Sequence, residues 1–153
     1  MWPFKRFPNV ADVVTDGQWV VATGGFEGKP MIVRVNRALT KLMGHPDYGY
    51  RVGIAIPLIA PRADGFPNTE EAAVLAEIED QIDDALTPQF ESLFALVITT
   101  GGMREFVFYT RDAGAAGHNV AALRSRIQSH ELQSYVELDR RWLVFREFLG
   151  SIK

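Results

Sequence analysis

The sequence contains no cysteine. That excludes disulfides, thiolate nucleophiles and every cysteine-containing metal site, and it makes no demand for an oxidising compartment. No apolar run approaches the roughly 20 residues that span a bilayer, so no membrane partner is expected. Histidine is scarce: His45, His118 and His130 are the only three, and none stands at HxH or HExxH spacing, which argues against a transition-metal site. A GxSxG elbow and a P-loop are both missing. Gly24-Gly25-Phe26-Glu27-Gly28 lies between two β-branched runs and opens no helix, so it is not a dinucleotide fingerprint. Neither a metal nor a cofactor is expected. Basic residues are absent from residues 63–103, which hold nine Asp and Glu. The flanks are richer in base, with eight Lys and Arg against four acids in residues 1–62 and eight against six in residues 104–153. A chain of net charge −3 with its acids gathered in one segment lacks the basic footprint of a nucleic-acid binder.

What is present is the composition of one globular domain: 153 residues, 47% hydrophobic and 23% charged, enough to bury a core without covalent staples. Residues 1–15 read as a tail. Met1-Trp2-Pro3-Phe4-Lys5-Arg6-Phe7-Pro8 has no apolar h-region after its two bases and is not a secretory signal. Its two prolines oppose an amphipathic anchor helix, leaving a segment packed on the domain or disordered.

Gln18–Thr23 and Pro30–Val35 read as a hairpin around a glycine-rich loop. Asn36 caps a short helix through Met43, closed by Gly44. From Tyr50 to Leu138 the order is strand, helix, strand, strand, helix, strand, that of the ferredoxin-like split βαβ unit. In the first strand the bulky residues Val52, Ile54, Ile56 and Leu58 alternate with Gly53, Ala55 and Pro57, and the small face predicts close approach, for instance of a helix. Asn68 or Thr69 caps a helix in which Glu71 reaches back, with Leu75, Ile78, Ile82 and Leu86 on one stripe and Pro88 ending it. Two strands, Leu93–Thr100 and Met103–Arg111, meet at Gly101-Gly102, which suits a tight hairpin turn. Asn119 caps the second helix, running to about Ser129. Ser134–Leu138 is the last strand, and Asp139 caps a final helix over Arg140–Leu149 that Gly150 stops.

The predicted fold is therefore α+β: a ferredoxin-like βαββαβ sandwich over 50–138 with an added N-terminal hairpin and a C-terminal helix. Leu93–Ile98 is apolar on both faces, so the sheet face away from the two helices needs a cover. The N-terminal hairpin, the final helix or a second copy of the chain is expected to supply it, which makes a homodimer one of the expectations.

Four groups of residues invite a functional reading. Glu77, Asp80 and Asp84 share one helix face, where carboxylates three and four apart suit Mg²⁺ or Ca²⁺. They lack the loop carbonyls of a dedicated site, so a solvated face, open to docking by a basic partner, is expected. His45 belongs to a turn and His130 to a helix end; His118, after Ala113-Gly114-Ala115-Ala116-Gly117, is the histidine expected at a cleft. Arg104-Glu105-Phe106-Val107-Phe108 has the place of an RNA-binding strand motif, but Glu105 stands where that motif needs glycine, and Phe106 and Phe108 read as packing residues. Arg34, Asn36, Arg104 and Tyr109 are polar groups in apolar strands. Buried charge must be paired, with Glu105 or the acidic helix as the expected neighbour, and these donors are where an anionic ligand would bind. Trp142, Phe145 and Phe148 make the final helix apolar around more than half its circumference, a candidate interface.

Trp19 opening the first strand, Met31-Ile32-Val33-Arg34-Val35-Asn36, Gly65-Phe66-Pro67 before Glu70-Glu71, and Arg104-Glu105-Phe106-Val107-Phe108-Tyr109-Thr110 together resemble the bacterial family known as domain of unknown function 695. The resemblance runs from about Trp19 to Phe148. It implies no established activity, cofactor or catalytic residue. Proteins of this type are similar in layout to domains like the regulator of ribonuclease activity B, or are joined with them, which implies a regulatory or protein-binding role. The expected function is thus a cytoplasmic, non-enzymatic binding or regulatory domain with a protein partner. The alternative is an enzyme on a small anionic molecule, using Arg34, Arg104, Tyr109 and His118 around one cleft.

Overall fold

The computed structural model describes residues 7–15 and 17–152. Residues 1–6 of the expected tail lie outside that range. The described part packs on the domain: Val10 is buried, and the Phe7 ring lies 5.3 Å from that of His45.

Six strands form one sheet, β1 (Trp19–Phe26), β2 (Lys29–Asn36), β3 (Tyr50–Pro57), β4 (Ser92–Thr100), β5 (Met103–Thr110) and β6 (Gln133–Leu138), in the order β1-β2-β4-β5-β3-β6. Every neighbouring pair is antiparallel. Helices α1 (Thr69–Leu86), α2 (Ala113–Arg126) and α3 (Leu143–Ser151) complete it. The fold is α+β, and β3 to β6 carry the predicted βαββαβ order.

Alternation sorts the strand side chains into two cores. On one face Val52, Ile54 and Ile56 of β3 and Phe106 and Phe108 of β5 meet Leu75, Ile78 and Ile82 of α1 and Val120 and Leu123 of α2. Phe106 and Phe108 are fully buried there, as packing residues. On the other face Val33, Val35, Val107 and Tyr109 meet Leu39, Leu42, Tyr48, Trp142 and Phe145. A bulge between Phe94 and Leu96 adds one residue to β4, so Leu93 and Leu96 face one core while Phe94 and Val97 face the other.

The second face is covered from within the chain, by α3 and by the 3₁₀ segment Arg37–Leu42. The N-terminal hairpin does not cover it. It extends the sheet instead, because β2 pairs along β4. The expected glycine-rich loop is also shorter than its composition suggested. The ladder runs through Gly24 and Gly25 to a two-residue turn at Glu27 and Gly28, both at positive φ, the twist that suits a hairpin.

Several details at the helix ends differ from expectation: α2 ends at Arg126 rather than about Ser129, and α3 starts at Leu143 rather than Arg140. Asp112, not Asn119, caps α2, its carboxylate accepting the Ala115 N–H at 2.9 Å. Asn68 caps α1, but Glu71 does not reach back to it. Gly150 lies inside α3, which ends at Ser151.

The close approach expected at the small face of β3 comes, at Gly53, from a side chain of the neighbouring strand. The Tyr135 ring from β6 lies over Gly53, and a Cβ at that position would collide with the ring. Gly53→Ala is expected to destabilise by about 1–3 kcal/mol through overpacking. In a Tyr135→Ala background the same substitution should cost much less. Equal costs in both backgrounds, measured by urea unfolding, would remove the ring as the cause.

Candidate functional site

Three polar constellations stand out. The first binds α3 to the sheet. Arg51 on β3 donates from Nη1 to Asp139 at 2.9 Å and from Nη2 to Glu137 at 2.7 Å, and its guanidinium lies 5.6 Å from the centre of the Tyr135 ring. The Tyr109 hydroxyl donates to Asp139 at 2.8 Å. Asp139 also accepts the N–H groups of Leu143 and Val144 at the start of α3. It is therefore the cap of that helix, acting across Trp142, whose backbone is left-handed with φ 55°. Burial works against the Asp139 charge, but the bonds from Leu143, Tyr109 and Arg51 outweigh it and hold the carboxyl below its ordinary range. Burial, then the hydrogen bond to Asp139 and that carboxylate's charge, pushes the Tyr109 phenol far up. Burial and the hydrogen bond to Glu105 push Tyr135 up to about 12.

The second is a buried acid–imidazole pair. Glu71 Oε2 accepts the Ile59 N–H at 2.8 Å and lies 2.6 Å from His130 Nε2. His130 Nδ1 is 3.1 Å from the Ser129 hydroxyl. The side chains of His130 and Glu71 are only 2% and 7% exposed. A serine, a histidine and a carboxylate in a row have the composition of a hydrolytic triad, but the acid and the serine sit on the opposite ring nitrogens from that arrangement. The pair ties the loop after β3 and the first turn of α1 to the segment between α2 and β6. Burial raises the Glu71 pKa, and the Ile59 N–H and His130 more than reverse this, leaving it lowered.

Folded-state carboxyl pKa values below the unfolded ones, about 4, set the sign of the pH dependence. The stability that Glu71 and Asp139 contribute is complete above about pH 4 and is lost as pH falls through their lowered native values. Glu71→Gln is accordingly expected to be less stable than the natural chain at pH 7, with the gap closing in acid. Thermal unfolding from pH 7 to pH 3 checks it, and a gap that widened in acid would contradict the assignment.

The third is an open cleft of about 680 Å³ where β3 begins and β5 and β6 end, walled by His45, Asp47, Tyr50, Arg111, Leu138 and Arg140. His45 Nδ1 accepts the Asp47 N–H at 3.1 Å, so its proton sits on Nε2. Arg111 donates to the Gln89 carbonyl at 2.7 Å. A second cleft of similar size runs beside β1, between Val14, Trp19, Arg37 and Lys41.

The residues singled out by sequence do not share a cleft. Arg34 faces α1, paired with Glu79 there, and its guanidinium lies 5.3 Å from the centre of the Trp19 ring. The acidic helix is thus the partner of that charge, while Glu105 lies on the opposite face with Tyr135. Arg104, near Arg34, donates to the Thr99 hydroxyl at 2.9 Å; burial and then the Arg34 charge lower its pKa. Asn36 is wholly buried and fully engaged, donating to the Thr15 and Phe94 carbonyls and accepting the Ala38 N–H. Tyr109 belongs to the other core, and His118 lies exposed on α2. Glu77, Asp80 and Asp84 are exposed. Trp142 and Phe145 are buried in their own chain, with Phe148 packed against the same core. Among the described residues no group of three His, Asp or Glu side chains could hold a metal ion, and no helix is long and apolar enough to cross a membrane.

A family model described as a family of unknown function, DUF695, matches residues 17–150. The chain belongs to that family. No curated protein and no solved structure matches it. Family membership assigns no chemistry, so the placement of this DUF695 chain's own residues has to carry any functional reading. Arg51, Asp139, Arg111 and Arg140 were not marked by sequence as members of a site, and neither was the pair of Glu71 and His130. Sequence gave Asp139 as a helix cap, which is part of what it does, and gave Glu71 and His130 only as helix-end residues.

Proposed function

We propose that the chain is a non-enzymatic binding or regulatory domain of the cytoplasm that works through protein contacts. One observation carries this: the groups whose ionisation is displaced furthest, Arg51, Tyr109 and Tyr135, are held inside the fold by Asp139 and Glu105, and none lines the cleft. Catalytic sites place such groups where a substrate reaches them. Here they act as braces, and the cleft is open, with charged and apolar side chains together in its walls, the kind of surface that meets a partner. An enzyme on a small anion using Arg34, Arg104, Tyr109 and His118 together has no support from where those side chains lie.

The full chain, tagged and cross-linked in its native host, should capture one protein at near-stoichiometric yield. Turnover in a screen of phosphate, carboxylate and ester substrates, with no such partner, would overturn the proposal.

A further inference from the structure

Several features converge on the cleft at the end of β6. Arg111 and Arg140 stand in its walls against a single carboxylate, Asp47. Among the described residues neither arginine forms an ion pair. Arg111 spends one donor on the Gln89 carbonyl. The Arg140 stem lies along Gly49, and its guanidinium makes no hydrogen bond among the described residues. His45 adds an Nε2 donor, its other nitrogen being occupied. Two guanidinium groups and a neutral imidazole N–H lining one open hollow, with most of the arginine donors unused, fit an oxyanion.

The strand leading to this hollow supplies the rest. β6 is the last strand of the sheet, paired with β3 on one side only. Its other edge carries unused backbone donors and acceptors, a template for an added strand. Val136 and Leu138 on β6 and Tyr50 opposite Leu138 are exposed. These three make an apolar strip that ends at the cleft, since Leu138 and Tyr50 also line it.

Resting on the binding role proposed above, we infer that the free edge of β6 and the cleft together receive an extended segment of a partner protein. Its aliphatic side chains lie on Tyr50, Val136 and Leu138, and its carboxylates are held by Arg111, Arg140 and His45. The apolar strip selects alternating aliphatic residues. The arginines select acid at one end and make the contact salt-dependent.

The probe is a fluorescein-labelled nonapeptide, Val-Thr three times followed by three glutamates, titrated with the full chain and read by anisotropy. Saturable binding below 1 mM at low salt is expected, weakened about tenfold or more, which is about 1.4 kcal/mol, when the glutamates become glutamines or Arg140 becomes Gln. Arg62→Gln, in the loop after β3 and already paired with Asp64, should leave binding unchanged. Arg140 is exposed, so its variant should unfold as cooperatively as the natural chain. The inference is overturned by no saturable binding, by equal binding of the glutamine peptide, by indifference to Arg140→Gln, or by inorganic phosphate competing as strongly as the peptide. If Arg140→Gln still captures the host partner, the cleft is wrong and the binding role stands. If the natural chain captures none, the binding role itself fails.

Discussion

Asp139→Ala should be among the most damaging single substitutions in this chain, costing about 3–5 kcal/mol, the scale for breaking a buried ion pair from one side. Three losses coincide. Arg51, whose side chain is only 13% exposed, loses its buried partner and keeps only the exposed Glu137. The Tyr109 hydroxyl, fully buried, loses its acceptor. The Leu143 and Val144 N–H groups at the start of α3 lose their cap. Against a total stability of roughly 5–15 kcal/mol, the variant should unfold at markedly lower urea or not fold at all at 37 °C. Asp139→Asn keeps an acceptor for the helix and should fall between the two. A cost under 1 kcal/mol for the alanine variant would show that α3 is held by packing alone.

Trp142→Ala tests that packing directly and is expected to cost about 3–5 kcal/mol, the range for truncating a buried large aromatic. The indole is stacked on Tyr109 with ring centres 4.0 Å apart and planes within 9°, and it meets the Phe145 ring edge-on. Its Nε1 donates to the Tyr48 carbonyl at 2.8 Å. Removing it opens a void between α3 and the sheet and orphans that carbonyl, so the variant should bind a hydrophobic dye. Trp142→Phe retains a stacked ring but not the donor, and should lose about 0.5–1.5 kcal/mol for the hydrogen bond plus a packing term. Equal stability for the alanine and natural chains would mean that α3 is an accessory and the sheet face needs no cover.

The parts of this fold legible in the sequence are those governed by neighbours along the chain. Leu75, Ile78, Ile82 and Leu86 gave α1 through their spacing, and Asn68 gave its cap. Gly101-Gly102 gave the β4–β5 turn, both residues being at positive φ. The two-sided apolar character of Leu93–Ile98 gave the need for a second cover, because a strand cannot expose such residues cheaply. The start of α2 was missed because Ala113–Gly117 has no bulky stripe, and small residues in a row read as loop. Asp139 was correctly read as the cap of α3, but the helix was started about one turn early, at Arg140 rather than Leu143, because that cap acts across a left-handed tryptophan, a geometry no spacing rule anticipates. The polar site was illegible for a different reason. Glu71 and His130 are 59 positions apart, and Arg51 and Asp139 are 88 apart. Only the folded sheet brings them together.

The bulge in β4 has a consequence for how this chain can change length. Strand side chains keep a reading frame of two, and Ala95 is the one residue out of frame, facing the same core as both Leu93 and Leu96. Deleting a residue of β4 outside the Ala95–Leu96 pair would shift the frame for everything beyond the cut, and deleting Leu96 would keep the frame but leave an alanine in place of a fully buried leucine. Deleting Ala95 instead restores plain alternation, with Leu93 and Leu96 still on one side and Phe94 and Val97 on the other. Among positions 93–97, a related chain one residue shorter is expected to have lost this alanine.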